Sequence, residues 1–429
     1  MSSHNVYTSA GPQVTAQQNE DEINQDNGEK LLERLCQQAL KGKSTLNDVN
    51  KAFVLMEGDN NTETGETIGD GKSAVKRLQN MGYVKDEKKW LTKKGFDTIS
   101  RMILRNIMQN AKSSGVGEHM TNLRGSGEIT MDMTRKYEFG DDPKNLSVHD
   151  TLFNAILHHG NNKFPLNVTT QDMAVHETYS DTRAAIVYCI DLSSTMKTKM
   201  KDGTSRMESA KRALWGLYGA NTKLFPDDSV YIVGFASMAA RINPYDIPYL
   251  RAFDADEFLH YTNYQAALQL SRSILRNVTS DNKKIILITD GQPSACYVEN
   301  TYQKDVILSE KPYSNFYAPE QDILNRIYAE KSMRLDANKD RQVYLCYRYK
   351  KVDARIHAQT IREARRCQSD GISIDTVVIT DEPELVEYGQ TFAKETHGMM
   401  FHTSDGSMAD ILVRDYIGRS HIRTQWNMM

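Results

Sequence analysis

The chain of 429 residues, with a formal net charge of −3, is long enough for about two to three domains and has no bulk positive charge to favour nucleic acid. Its five cysteines (Cys36, Cys189, Cys296, Cys346 and Cys367) show no CxxC spacing and no neighbouring His cluster, so a reducing, cytoplasmic setting is expected instead of a disulfide framework. The N-terminus lacks the basic and apolar regions of a signal peptide, and no apolar run approaches the ~18 residues of a membrane span.

Residues 1–29 are rich in Ser, Asn, Gln, Asp and Glu, the composition of a disordered, mildly acidic tail. Leu31, Leu32, Leu35 and Ala39, then Val49, Phe53 and Val54, recur at helical spacing on either side of Gly42 and Ser44. Two helices are expected there. The polar stretch 58–71 reads as a loop, and its end, Gly69-Asp70-Gly71-Lys72-Ser73, imitates a phosphate-binding P-loop. That motif needs glycine at position 66, where the chain has Glu66, and a buried strand before it, where the chain has Asp59-Asn60-Asn61-Thr62. A backbone cradle for phosphates would lack its turn and its scaffold. Asp70 or Ser73 reads instead as the cap of a helix over Ala74–Met81.

Gly82-Tyr83-Val84, a charged turn (Lys85–Lys89), Trp90-Leu91-Thr92 and a helix from Lys93-Lys94-Gly95 to about Asn110 follow. Helix, two-stranded wing and closing helix resemble a winged-helix module, so 30–112 is read as a small helical, winged-helix-like domain. Residues 71–105 hold ten Lys and Arg against three acids. Such a patch can face phosphates, dock an acidic protein or simply be solvated.

Residues 113–180 form a linker and a pre-domain segment: Gly-rich chain to about 130, an extended segment Thr134–Asp141, a capped helix His149–Ile156 and an edge strand Asp172–Thr178. His119, His149, His158 and His159 invite a zinc reading. Adjacent His158 and His159 diverge by about 100° on a helix, however, and His176-Glu177 lacks the second His of a zincin helix. Surface or polar-core histidines are expected.

The run Ala184-Ala185-Ile186-Val187-Tyr188-Cys189-Ile190 is a strand buried on both faces. It ends on Asp191-Leu192-Ser193-Ser194-Thr195, a carboxylate and two hydroxyls spaced two apart. A second buried strand, Lys283–Thr289, ends on Asp290-Gly291. Between them Thr262 precedes an apolar-periodic helix (Ala266, Ala267, Leu270, Ile274). In open α/β sheets ligands sit outside the carboxyl ends of strands, and oxygen donors suit hard cations. Capping alone would also account for Asp, Ser and Thr after a strand. The five positions together resemble the metal-ion-dependent adhesion site of von Willebrand factor A domains, with Thr195 where Ser is usual. The resemblance implies that Ser193, Thr195 and Thr262 coordinate Mg2+ (or Mn2+ or Ca2+) directly, with Asp191 and Asp290 acting through water. It further implies that an acidic residue of a protein ligand completes the shell.

The remaining elements are a helix over 207–224, strands Val230–Phe235 and Ala239–Ile242, a helix 353–368, strand Ile372–Ile379, helix Glu384–Thr396, strand Met399–His402 and helix Met408–Arg419. They complete a doubly wound, mostly parallel α/β sheet over 181–424. An insertion at about 292–352 carries Tyr297, Tyr302, Tyr313, Phe316, Tyr317, Tyr344, Tyr347 and Tyr349, a density that fits an interface. Together with Leu91–Gly95, the segments Arg135–Asp141 and Asp150–Ala155 resemble the pre-domain of bacterial cytoplasmic von Willebrand A proteins. These are related to the magnesium-chelatase D subunit and to partners of MoxR-type ATPases. The expected function is that of a non-enzymatic, magnesium-dependent adaptor for a cytoplasmic AAA+ ATPase, since the site lacks a convergent base and nucleophile. The alternative is a DNA-binding regulator using 71–105.

Overall fold

The computed structural model describes residues 31–403 apart from 44, 59–70, 113–128, 139–140, 142, 161–164, 180–182, 256–257, 281, 339–340 and 347–350. The tail 1–29, the loop with Glu66, His119, Tyr347, Tyr349 and the helix expected over Met408–Arg419 lie outside the described residues.

The N-terminal helices are α1 (31–40), α2 (Leu46–Gly58), α3 (Gly71–Asn80) and α4 (Lys93–Lys112). Leu31, Leu32, Leu35, Ala39, Val49 and Phe53, which set the periodicity, are buried, the last four completely. After α1 the chain turns on Gly42, at φ 69°, a left-handed conformation that glycine adopts without a Cβ penalty. Two cations complete this end. Lys211 Nζ donates to Ala39 O at 2.9 Å and to Pro248 O at 2.6 Å, and the Arg251 guanidinium donates to Gly42 O at 2.7 and 3.0 Å. Positive charge belongs there, at the negative end of the helix dipole. α3 starts at Gly71, so Ser73 lies within the helix, and Asp70, the other candidate cap, lies outside the described residues. Between α3 and α4 the strands pair only through a bridge, Val84 to Leu91. α4 packs on the main body by stacking Phe96 on Trp215, ring centroids 4.8 Å apart.

Next come β1 (Ile129–Lys136), β2 (Leu146–Ser147), α5 (Val148–His159) and β3 (Ala174–Tyr179). The strands make an antiparallel sheet in the order β1-β3-β2. His158 and His159 do meet, through Asp172: Nδ1 of the first lies 2.5 Å from Oδ1, and Nε2 of the second lies 3.2 Å from Oδ2. Their helical divergence is spanned by the two oxygens of one buried carboxylate.

The main sheet has the order β12-β11-β7-β4-β5-β6. Its strands are β4 (Ala184–Asp191), β5 (Ser229–Phe235), β6 (Ala239–Ile242), β7 (Asn282–Thr289), β11 (Ile372–Ile379) and β12 (Met400–Thr403). All neighbours are parallel except β6, which pairs antiparallel with β5 at one edge. Helices α6 (Arg206–Leu224), α7 (Tyr264–Arg276), α10 (Ala354–Ser369) and α11 (Pro383–Glu395) connect the strands. The chain leaves β4 toward β5 and later returns to β4's other side as β7. The switch in strand order, where such sheets open a crevice, therefore falls between the carboxyl ends of β4 and β7.

The insertion folds on itself. β8 (Ala295–Val298), α8 (Thr301–Glu310), β9 (Asn315–Tyr317), α9 (Gln321–Lys331) and β10 (Gln342–Leu345) form a small antiparallel sheet, β8-β10-β9, with two helices. Tyr297 and Tyr344 are buried, so part of the aromatic density is core and not interface; Tyr302 and Tyr313 are exposed. Leu335 bridges Ala240, and Asp336 N–H donates to Ala239 O, which covers the edge strand β6. No helix among the described residues is long and apolar enough to cross a membrane.

Candidate metal centre

Asp191 is the last residue of β4, fully buried, and Asp290 follows β7, also buried. Register pairs Ile190 with Ile288, so the two carboxylates emerge side by side at the switch point. The Asp191 carboxylate accepts from Ser193 N–H at 2.8 Å and from the Thr289 hydroxyl at 2.7 Å. The first bond folds the chain back so that Ser193 and Thr195 hydroxyls stand 3.1 Å apart, Ser193 buried and Thr195 exposed to the cleft. The Thr195 hydroxyl donates to Asp290.

Thr262 reaches the same place from the other side of β4. Asn263 caps α7 by accepting from Ala266 N–H and ties its amide to Ser237 O. Thr262 N–H donates to Ser294 Oγ at 3.0 Å, and Thr262 O accepts from Ser294 N–H at 2.8 Å. The first turn of the insertion thus clamps this loop. Thr195, Thr262 and Asp290 line one cleft of about 740 Å3, with Arg206, Lys351 and Glu382 on its walls. Asp191 and Ser193 lie beneath.

Burial pushes both carboxyls above the usual carboxylate range, and the Asp290 charge pushes Asp191 further. Arg206 and the Thr195 hydroxyl hold Asp290 back. Two buried, mutually repelling carboxylates ringed by hydroxyls are an anionic oxygen cage, and that donor set fits a hard divalent cation. Among the described residues no three His, Cys, Asp or Glu side chains converge as a metal-binding group. The cage therefore relies on hydroxyls, which suit magnesium better than zinc.

Three contributors escape a reading of the sequence. Thr289 orients Asp191. Arg206, only 2% exposed, donates to Asp290 Oδ2 at 2.9 Å and to Glu382 Oε1 at 2.6 Å. Gly291 lets α11 approach, since a Cβ there would lie 2.8 Å from Leu385 Cδ2. One signal pointed to Arg206: a cation in the first turn of a helix opposes the dipole and needs a nearby anion.

Residues 184–322 match the family model described as the vWA domain of Rv0959-like protein, and residues 130–178 match that of its third domain. Uncharacterized protein Rv0959 of Mycobacterium tuberculosis is 26% identical over 272 residues, which cover 62% of this chain and 38% of that protein. Uncharacterized protein Mb0984 of Mycobacterium bovis is similar to the same extent, 26% over 272 residues. The matched stretch thus spans less than two fifths of the length of these relatives. Among solved structures, the PilB minor pilin from Streptococcus sanguinis is 16% identical, covering 61% of this chain and 67% of its own, with a TM-score of 0.44. The vWF domain of the type V pili tip protein Mfa5 from Porphyromonas gingivalis is 15% identical, covering 56% and 96%, with a TM-score of 0.37. Residues 184–322 are thus similar to the von Willebrand factor A domain of Rv0959-like proteins.

Proposed function

We propose that this chain is a magnesium-dependent protein-binding module whose ligand presents an acidic side chain to the cleft. The observation that carries the reading is the pair of buried carboxylates, Asp191 and Asp290, side by side under the hydroxyls of Ser193, Thr195 and Thr262. These five residues would hold the ion, which supplies an electrophilic seat for one external carboxylate. The chain's own part is to position oxygens. Thr289 and Ser193 N–H fix Asp191, and Ser294 fixes the Thr262 loop. Magnesium demands near-octahedral geometry and dehydrates reluctantly, so docking on it is specific and reversible.

The partner we favour is a cytoplasmic AAA+ ATPase of the MoxR or magnesium-chelatase type. The pre-domain resemblance over Arg135–Asp141 and Asp150–Ala155 supports it. So does Glu66, which stands where the P-loop-like stretch ending at Ser73 needs glycine. The nucleic-acid reading of a winged-helix-like 71–105 has less charge at its disposal. Lys88 donates to Ala329 O, Lys89 pairs with Asp246, and Lys94 donates to Met81 O.

A pull-down of the full chain from its native lysate, with and without chelator and read by mass spectrometry, tests this. Enrichment of an AAA+ ATPase that is lost with chelator and in Thr262→Val is expected. Enrichment that persists in chelator, or none, contradicts the reading.

A further inference from the structure

Arg206 occupies an odd place. It opens α6 directly after the cap Ser205, at the positive end of a helix dipole, where a cation is disfavoured. It is nevertheless 2% exposed, and three carboxylates surround its guanidinium: Asp290 at 2.9 Å, Glu382 at 2.6 Å and Asp381 at 3.7 Å. Its Nε, also buried, finds no acceptor among the described residues. One of the three carboxylates belongs to the cage; the other two open α11's N-terminus at the cleft wall, with Glu382 45% exposed.

We propose that Arg206 is a built-in stand-in for the cation, neutralising Asp290 when no ion is bound, with Glu382 and Asp381 as the seat its guanidinium withdraws to when one is. The inference rests on the metal reading of the cage. A divalent ion and a guanidinium on one carboxylate repel each other, and burial weakens the screening between them. Loading therefore requires the positive charge on Asp290 to be given up in part. Arg206 can give it up without leaving its pocket, because its two terminal nitrogens already serve different acids. A planar five-donor fork is suited to shifting weight between carboxylates, as a lysine is not. The residue thus sets how tightly the cage holds its ion, while keeping the empty cage from exposing two unbalanced buried charges.

The test is calorimetric titration of chelator-treated full chain with magnesium chloride, with circular dichroism to check folding. Arg206→Met should bind magnesium at least about tenfold more tightly than the parent, since it removes the competitor. Glu382→Gln should bind about threefold or more weakly, since the guanidinium loses its alternative seat. In the Arg206→Met background, Glu382→Gln should lose its effect. That non-additivity separates withdrawal of Arg206 from a general loss of negative charge. A parent that shows no binding while Arg206→Met binds also supports the proposal. A folded Arg206→Met with unchanged or weaker affinity overturns it and leaves the metal reading standing. If Arg206→Met does not fold, Glu382→Gln decides alone, and unchanged affinity there overturns the proposal. No binding in any variant overturns the metal reading and this proposal with it.

Discussion

Asp191→Asn should be more stable than the parent without metal and less stable than the parent with magnesium. The side chain is fully buried, and the Asp290 charge and the loss of water both oppose its ionisation. Two donors offset part of that, Ser193 N–H at 2.8 Å and Thr289 Oγ1 at 2.7 Å, each worth about 1.5–3 kcal/mol to a charged acceptor. A buried ion costs several kcal/mol, so removing the charge while keeping one acceptor oxygen for Ser193 N–H, with the Thr289 hydroxyl turned to accept from the new amide, should stabilise the chelated protein by about 1–2 kcal/mol. That is roughly 2–6 °C in melting temperature for a domain of this size. Magnesium at about 100 times its dissociation constant should stabilise the parent by about 2.7 kcal/mol and the variant by almost nothing. The variant should therefore melt higher in chelator and lower in magnesium. The chelated parent's disadvantage should also depend on pH. A carboxyl whose folded pKa is raised destabilises above that pKa, less so as the pH falls through it, and not at all below the unfolded value near 4. Differential scanning calorimetry at pH 7.5 and pH 4.5, each in chelator and in magnesium, reads all of this. The reasoning is refuted if the two proteins keep the same order in both solutions at pH 7.5.

Burial pushes the Lys211 ammonium down to about 7. Below that pH both states are charged and the cost is fully present; above it the unfolded state binds more protons, so stability should rise by about 2 kcal/mol between pH 7 and 9. Denaturant midpoints at the two pH values check it, and a flat profile contradicts it. Phe96→Ala should cost about 3–5 kcal/mol by emptying the stack on Trp215, seen as earlier proteolysis of the N-terminal helices than of the sheet. Gly291→Ala should cost about 1–3 kcal/mol, because its Cβ meets Leu385 at 2.8 Å, and it should weaken magnesium binding by displacing Asp290. Purified chain should show no ATPase signal that depends on Lys72, and such a signal would restore the P-loop reading.

The sheet and the cage were legible because buried strands announce themselves. Ala185–Ile190 and Ile285–Ile288 are continuous apolar runs, the first followed directly by Asp191 and the second, after Thr289, by Asp290, where an α/β sheet binds ligands. Thr262 was legible because helical spacing begins directly after it. Arg206 and Glu382 meet across 176 positions, and no local pattern links them. The tyrosines of the insertion misled in part because composition does not say which side of a small sheet a ring takes: Tyr297, in register with Val343, is buried against the main core, and Tyr344, in register with Cys296, is buried in a second cluster on the opposite face. His158 and His159 lie at the surface as expected, but the helical-angle argument did not foresee the acceptor they share. Asp172, on the approach to β3, offers one oxygen to each ring.

The most direct measurement is magnesium titration of the folded full chain beside Asp290→Ala and Thr262→Val. One ion per chain is expected for the parent, with affinity lost or weakened at least 10–100-fold in Asp290→Ala and measurably reduced in Thr262→Val, while circular dichroism stays unchanged. Equal magnesium affinity in all three proteins would show that the carboxylates and hydroxyls at the switch point do not hold the ion.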